Sequence, residues 1–416
     1  MKGRIVLLLA AASLTMGAVV VQPTAPIRIS AGERASAVAV LHDLAGAVGS
    51  GDAAVSAAAN RIVARDALRA APADVARWWS ALPARTAATL QRDAPGVIGN
   101  LDGLPYSVRD AANRTALQRT VAAVGDQLTN GSGRGAALAL SARLTALQQV
   151  QTALQQPEGG PARFLVSLDP VHASRAAVAI GDPDLAEYVD FLVPGMFFSV
   201  RDQIVDWTDT AADLQAEQTA WLQRLHRAGQ AAVISWIGYT TPDAVSVLGI
   251  GDAQDGARRL ADAVRGLTAA RPSSDPFVAI TAHSYGGTAA LVALQSHAMR
   301  VDALAMVGVP GSPAAHASQL DVPAGQVYAG RDAWDPVARS SYFGVSPTDQ
   351  TFGSVALGTG SGVDPITDAQ LNSAVGHNGY FAPGSQSLRN LALIGIGEGA
   401  LVTRDGSEGT LAFAAP

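Results

Sequence analysis

The 416-residue sequence contains no cysteine. That excludes disulfides, thiolate zinc sites, a cysteine nucleophile and a lipoprotein anchor. Lysine is nearly absent as well: Lys2 is the only one, and the other cations are arginines. Charged residues make up 15% of the chain and sum to −6, so the charge gives no support to a nucleic-acid partner. No block of like charge reads as an acidic tail or a polybasic membrane patch. No phosphate cradle is present either. Gly358-Thr359-Gly360-Ser361-Gly362 lacks the lysine and the spacing of a P-loop and reads as a flexible loop. There is no internal repeat.

What is present begins at the N-terminus. Lys2 and Arg4 precede an uncharged run over 5–21, followed by Gln22-Pro23-Thr24-Ala25-Pro26. This is the charged and then apolar order of a secretory signal. The run sits at the lower limit of about 17 residues for crossing a bilayer, so a cleaved signal and a retained anchor both stand for residues 1–26. The nearest downstream Ala-x-Ala, Ala35-Ser36-Ala37, lies well beyond the apolar run. The expected location is secreted, or anchored to the outer face of the cytoplasmic membrane, with this segment providing any membrane association.

Residues 32–156 read as a helical region without strands. Spaced aliphatic residues predict helices over 37–48, 53–68, 73–92, 106–128 and 141–155. Asp74 is placed to cap a helix carrying Trp78 and Trp79, both read as core anchors, and Pro83 interrupts that helix or opens the next. Pro157-Glu158-Gly159-Gly160-Pro161 marks a boundary. Over 161–416 the pattern changes. Short β-rich runs at 164–168, 176–180, 189–193, 231–236, 277–282, 303–309 and 326–329 alternate with helices over 203–227, 255–267 and 287–299, and a last helix covers 385–394. That rhythm predicts an α/β domain with a mostly parallel sheet.

Within it, Ile280-Thr281-Ala282-His283-Ser284-Tyr285-Gly286-Gly287 joins a strand to a helix through a small-x-Ser-x-Gly turn. Such a turn lifts the serine oxygen clear of the sheet, and small residues two positions away on either side avoid collision with the neighbouring strand and helix. A serine so placed needs a base to take its proton and a carboxylate to orient the base. The acid falls in Asp332-Ala333-Trp334-Asp335-Pro336-Val337, after a strand, with Asp335 preferred and Asp332 close behind. Of the histidines after Ser284, His297 lies late on a helix, His316 precedes the acid strand, and His377 sits in a glycine-flanked late loop. The order Ser284, Asp335, His377 is the one this fold uses. His283 reads as support for the turn. The oxyanion donors expected are the amides of Tyr285 and of Met196, with Phe197 as the alternative to Met196. Phe197 and Phe198 are candidates for an apolar acyl pocket or for simple core.

The chain from about Trp78 onward resembles an uncharacterised actinobacterial family of α/β-hydrolases with a helical N-terminal region. The segments that carry this are Trp78-Trp79, Ile98-Gly99-Asn100-Leu101-Asp102-Gly103-Leu104-Pro105, Arg109-Asp110-Ala111-Ala112-Asn113-Arg114, Val178-Ala179-Ile180-Gly181-Asp182-Pro183-Asp184, Leu192-Val193-Pro194-Gly195, Trp236-Ile237-Gly238-Tyr239, the serine turn, and His377-Asn378-Gly379-Tyr380-Phe381. The resemblance implies an α/β-hydrolase fold and carries over Ser284, His377 and Asp335. It supplies no substrate. The chain departs from the family pattern at Ala282, where glycine is commoner, and at Met196-Phe197, where small polar residues are commoner.

Two functional readings follow. The first is an exported serine hydrolase acting on small or lipid-like carboxylic esters, with no metal or organic cofactor. The second is a catalytically silent binding or envelope-scaffold protein on a hydrolase fold.

Overall fold

The computed structural model describes residues 31–48, 70–131, 133–169, 171–242, 246 and 249–405. The signal or anchor over 1–26 and the helix expected over 53–68 lie outside the described residues. No helix among the described residues is long and apolar enough to cross a membrane.

The helical region holds α1 (Ala31–Ala47), α2 (Pro72–Ser80), α3 (Ala84–Asp93), α4 (Pro95–Ile98), α5 (Tyr106–Thr129) and α6 (Arg134–Ala153). Prolines punctuate it. Pro72 and Pro95 open α2 and α4, where a missing amide proton costs nothing, and Pro83 separates α2 from α3. The start of α2 differs from expectation: Ala71 is its N-cap, and Asp74 lies in the first turn, paired with Arg77. Proline at the first helical position moves the helix start ahead of the aspartate. Trp78 is buried with Leu41, Leu44, Val75, Leu90 and Ile98 in a small core of this region.

The α/β part runs β1 (Arg163–Leu168), β2 (Ala176–Ile180), β3 (Tyr188–Val193), α7 (Val200–Arg224), β4 (Ala231–Ile237), α8 (Gly251–Ala270), β5 (Phe277–His283), α9 (Tyr285–Gln295), β6 (Ala303–Val307), β7 (Val327–Gly330) and β8 (Val355–Ala356). A two-stranded ribbon, β9 (Gly362–Val363) with β10 (Gln370–Leu371), and α10 (Gln386–Gly395) complete it. The main sheet has the order β1-β2-β4-β3-β5-β6-β7-β8. Strands β3 to β8 are mutually parallel, and β2 alone runs antiparallel to both its neighbours. Alternation of side chains sorts each strand between two helical layers. On β3, Val189, Phe191 and Val193 pack toward α8 and α9, while Leu192 packs toward α7 and α10. The glycine-rich segment 358–362 is tied rather than loose: the amides of Thr359 and Gly360 both donate to Asp405, at 2.8 and 2.6 Å, and the Gly358 amide donates to the Thr403 carbonyl.

The outer edge of β1 is covered by side chains of the helical region. Asn100 accepts from the Leu168 amide at 2.9 Å and donates to its carbonyl at 2.8 Å. Asp110 accepts from the Leu165 amide, Asn113 donates to the Leu165 carbonyl, and Arg114 donates to the Arg163 carbonyl. An edge strand left unpaired is an aggregation template, and these four side chains close it. They account for four of the polar residues in the 98–114 segments quoted above, and the other two, Asp102 and Arg109, pair with each other. Asn100→Ala strands a buried amide and carbonyl at Leu168, so urea unfolding should show a loss of about 1–3 kcal/mol. A loss within the noise of that measurement would contradict the edge-closing role.

One acid lies inside the sandwich. Asp190 on β3 is fully buried, and one of its oxygens accepts from Gln218 of α7 at 3.0 Å and from Thr281 of β5 at 2.9 Å. Burial pushes its carboxyl up to about 7 against those hydrogen bonds. The folded state therefore holds a proton that the unfolded chain releases in the ordinary carboxylate range. The stability this contributes is complete below that range and is lost as pH rises through about 7, at up to about 1.4 kcal/mol per pH unit. Between about pH 4 and about pH 7, Asp190→Asn should flatten the decline of unfolding free energy seen in the wild type. Parallel pH dependences in the two proteins would rule this out.

Candidate active site

Strand β5 lies in the middle of the sheet between β3 and β6, and Ser284 follows its last residue. Its backbone has φ 55° and ψ −131°, a region that L-residues rarely occupy and that costs about 1–3 kcal/mol. Two hydrogen bonds hold it there, from the Ser284 amide to the Val307 carbonyl at 3.0 Å and from the Gly287 amide to the Ser284 carbonyl at 2.9 Å. The glycines are dictated by close approach. A Cβ on Gly286 would stand 2.4 Å from the Pro194 carbonyl oxygen, and one on Gly195 would stand 2.6 Å from the Ser284 Cβ. Ala282, the departure from the family pattern, is accommodated as a fully buried methyl in the core.

The three residues expected to act together lie in one hydrogen-bonded chain. His377 Nε2 is 2.8 Å from Ser284 Oγ, and His377 Nδ1 is 3.0 and 2.9 Å from the two Asp335 oxygens. Asp335 is fully buried, Ser284 is 2% exposed, and the His377 side chain is 10% exposed. Burial alone would raise the Asp335 carboxyl. Hydrogen bonds from His377 and Tyr380, the His377 charge and the Ala338 amide outweigh it and hold Asp335 below the usual carboxylate range. Asp332 is turned elsewhere: its Oδ1 accepts from the Gly376 and Trp334 amides, at 3.1 and 3.0 Å. It ties the loop before His377 to the loop before Asp335. His297 and His316 stand apart, His297 near Asp321 and His316 against the Thr351 carbonyl.

The amides of Met196 and Tyr285 donate to no acceptor among the described residues, whereas the Phe197 amide is engaged by the Pro242 carbonyl at 3.1 Å. Phe197 is thereby removed as the alternative donor. The loop carrying Met196 is held from behind by Tyr239, whose hydroxyl donates to the Pro194 carbonyl at 2.9 Å. Ser284 and His377 open on a cleft of about 480 Å³, walled by Met196, Phe197, Phe198, Trp207 and Phe381. Along its far side α7 contributes Gln203, Asp206, Thr210 and Asp213, and neither lysine nor arginine lines it among the described residues. None of the described residues between 31 and 156 lines it either. A larger cavity, about 720 Å³, opens between α2, α8 and the starts of β5 and β6, at the opposite end of the strands from Ser284. Among the described residues no three His, Asp or Glu side chains gather as a metal site requires.

Three contributors escape a reading of the sequence. Tyr380 donates to Asp335, Tyr239 supports the Met196 loop, and Gly308 provides space. A Cβ on Gly308, whose φ is +67°, would lie 3.0 to 3.2 Å from Tyr380, Asp335 and His377. Tyr239 and Tyr380 stand within the quoted segments, but nothing local marks what their hydroxyls meet.

A family model described as alpha/beta hydrolase matches residues 169–345. With the parallel sheet and the strand–turn–helix at Ser284, this chain belongs to that family. The uncharacterized protein Rv0963c of Mycobacterium tuberculosis is 32% identical over 225 residues, 51% of this chain and 84% of that one. The uncharacterized protein Rv2079 of the same organism is 29% identical over 375 residues, 80% of this chain. The chain spans 57% of the length of that longer relative. Among solved structures, the dienelactone hydrolase of Anabaena variabilis aligns with 56% of this chain and 95% of its own, at 15% identity and a TM-score of 0.35.

His283 is buried beneath this arrangement. Its Nε2 is 2.7 Å from the His377 carbonyl oxygen, which can only accept, so Nε2 carries the hydrogen. Burial, reinforced by the neighbouring His377 ring, pushes the His283 imidazole down to about 3. Nitrogen chemical shifts of the His283 ring should therefore stay flat from about pH 5 to about pH 9 in the folded protein. A titration inside that window would contradict the neutral, Nε2-protonated assignment.

Proposed function

We propose that the protein is an exported serine hydrolase that cleaves carboxylic esters through an acyl-enzyme. The observation that carries this is the unbroken chain from Ser284 Oγ through His377 to Asp335, at 2.8 and 2.9 Å, ending on a serine held in a strained turn. Ser284 Oγ attacks the ester carbonyl while His377 Nε2 takes its proton. The amides of Tyr285 and Met196 receive the negative charge that develops on the carbonyl oxygen. Protonated His377 then gives its proton to the departing alcohol, leaving the acyl group on Ser284. Water, deprotonated by the same nitrogen, reverses the sequence and releases the acid. Asp335 keeps the Nδ1–H tautomer and stabilises the imidazolium.

The aromatic wall of the cleft suits an apolar acyl group, and the Asp206 and Asp213 carboxylates disfavour an anionic one. Export rests on the N-terminal run over 5–21, either as a cleaved signal or as a membrane anchor.

A fluorophosphonate probe and a panel of neutral nitrophenyl esters test this on protein lacking the residues before Ala31. Labelling and turnover are expected in the wild type and should vanish in Ser284→Ala. Folded protein that neither labels nor turns over esters would favour the scaffold reading instead. His377→Ala should lower kcat by roughly 10⁴-fold. Asp335→Asn should approach that loss, and Asp332→Asn should retain most of the activity, because its carboxylate meets amides rather than the imidazole. Equal losses in the two aspartate variants would overturn the assignment of the acid.

A further inference from the structure

We infer that Tyr380 is a positioning residue for Asp335: its phenol hydroxyl helps fix the orientation of the carboxylate and competes with His377 for the charge on the oxygen they share. This rests on the serine-hydrolase reading for its catalytic consequence, and on geometry alone for the hydrogen bonding. Tyr380 is fully buried, and its hydroxyl lies 2.6 Å from Asp335 Oδ2. The phenol oxygen of Tyr380 itself accepts the Asp332 amide at 2.9 Å. With that lone pair engaged, the phenol proton is directed to Asp335. The other carboxylate oxygen, Oδ1, is held by the Val337 and Ala338 amides at 2.9 and 3.1 Å. Apart from His377, which spans both oxygens, Tyr380 is the one hydrogen-bonding group on Oδ2 among the described residues.

The placement is local and well supported. Tyr380 follows His377 by three residues in the 3₁₀ turn Gly379–Phe381, so one short segment delivers both the imidazole and the clamp on its partner. Ser387 of α10 donates to the Tyr380 carbonyl at 2.5 Å, and Gly308 leaves the space in which the ring lies. Burial and the Asp335 charge both raise the Tyr380 phenol, which keeps it protonated, and so a donor, at neutral pH. The titratable groups around the carboxylate are His377 and Tyr380 from the late loop, Asp332 from the loop after β7, and His283 from the serine turn.

Removing the phenol proton has two consequences of known sign. The carboxylate loses one of the groups that fix its orientation, which lowers kcat. Its charge also concentrates toward His377, so the base holds a proton to higher pH. Tyr380→Phe, which keeps the ring, should lower kcat about tenfold with KM nearly unchanged. It should also move the acid limb of the kcat/KM profile upward by roughly half a pH unit. A fluorinated tyrosine replacing Tyr380, a stronger donor, should move the limb downward. In an Asp335→Asn background, Tyr380→Phe should change kcat by less than about twofold. The low-field proton resonance of the His377–Asp335 hydrogen bond, identified by its loss in His377→Ala, should move downfield in Tyr380→Phe. A limb and a resonance that both stay put would overturn the inference, as would an equal kcat loss in the two backgrounds. The resonance is read without substrate. Absent or Ser284-independent turnover would therefore defeat the hydrolase reading while this measurement still decided the role of Tyr380.

Discussion

The backbone strain at Ser284 is the constraint around which the rest is arranged. A serine at φ 55° persists only where its surroundings over-determine it. Here β3 and β6 clamp the strand on both sides, and the Pro194-Gly195 loop presses so closely that no side chain fits at Gly195 or Gly286. The same crowding sets the Pro194-Gly195 loop, which leads into Met196, directly against Ser284. Strain and close packing are thus one feature seen from two sides.

The imidazole must reach this turn from 93 residues further along the chain, and loops alone would place it poorly. Several tethers restrict it. His283 holds the His377 carbonyl, Asp332 holds the Gly376 amide, and Tyr380 is fixed between Asp332 and Asp335. The helical region contributes at a distance. By closing the β1 edge it completes the sheet in which β5 is central, and it stays clear of the cleft, so among the described residues it is a sheet cover rather than a lid.

Much of the fold was legible because buried strands read as short apolar runs and helices carry spaced aliphatics. The reversed direction of β2 was not, since Ala176–Ile180 is buried throughout and an apolar run has no direction. A signal did exist: the connection from Leu168 to Ala176 is too short for the crossover of a dozen or more residues that parallel neighbours require. The two-residue strands β8, β9 and β10 fall below what periodicity detects. Segment 358–362 looked loose because its glycines are local, whereas Asp405, which ties it, is remote in sequence. At the site, chain order named Ser284, Asp335 and His377, but the choice between two aspartates depended on which amides each one meets. Tyr380 was in view as a letter of a motif, without its partner.

The central claim is that the Ser284 oxygen becomes covalently bonded to the acyl group of an ester. Rapid quenching of the protein with a nitrophenyl ester, followed by mass spectrometry of the intact chain and of its peptides, measures this directly. The account predicts an acyl mass on the peptide containing Ser284 that forms in step with the first release of nitrophenol. Release of nitrophenol with no such adduct, or with the acyl group on another residue, would contradict it.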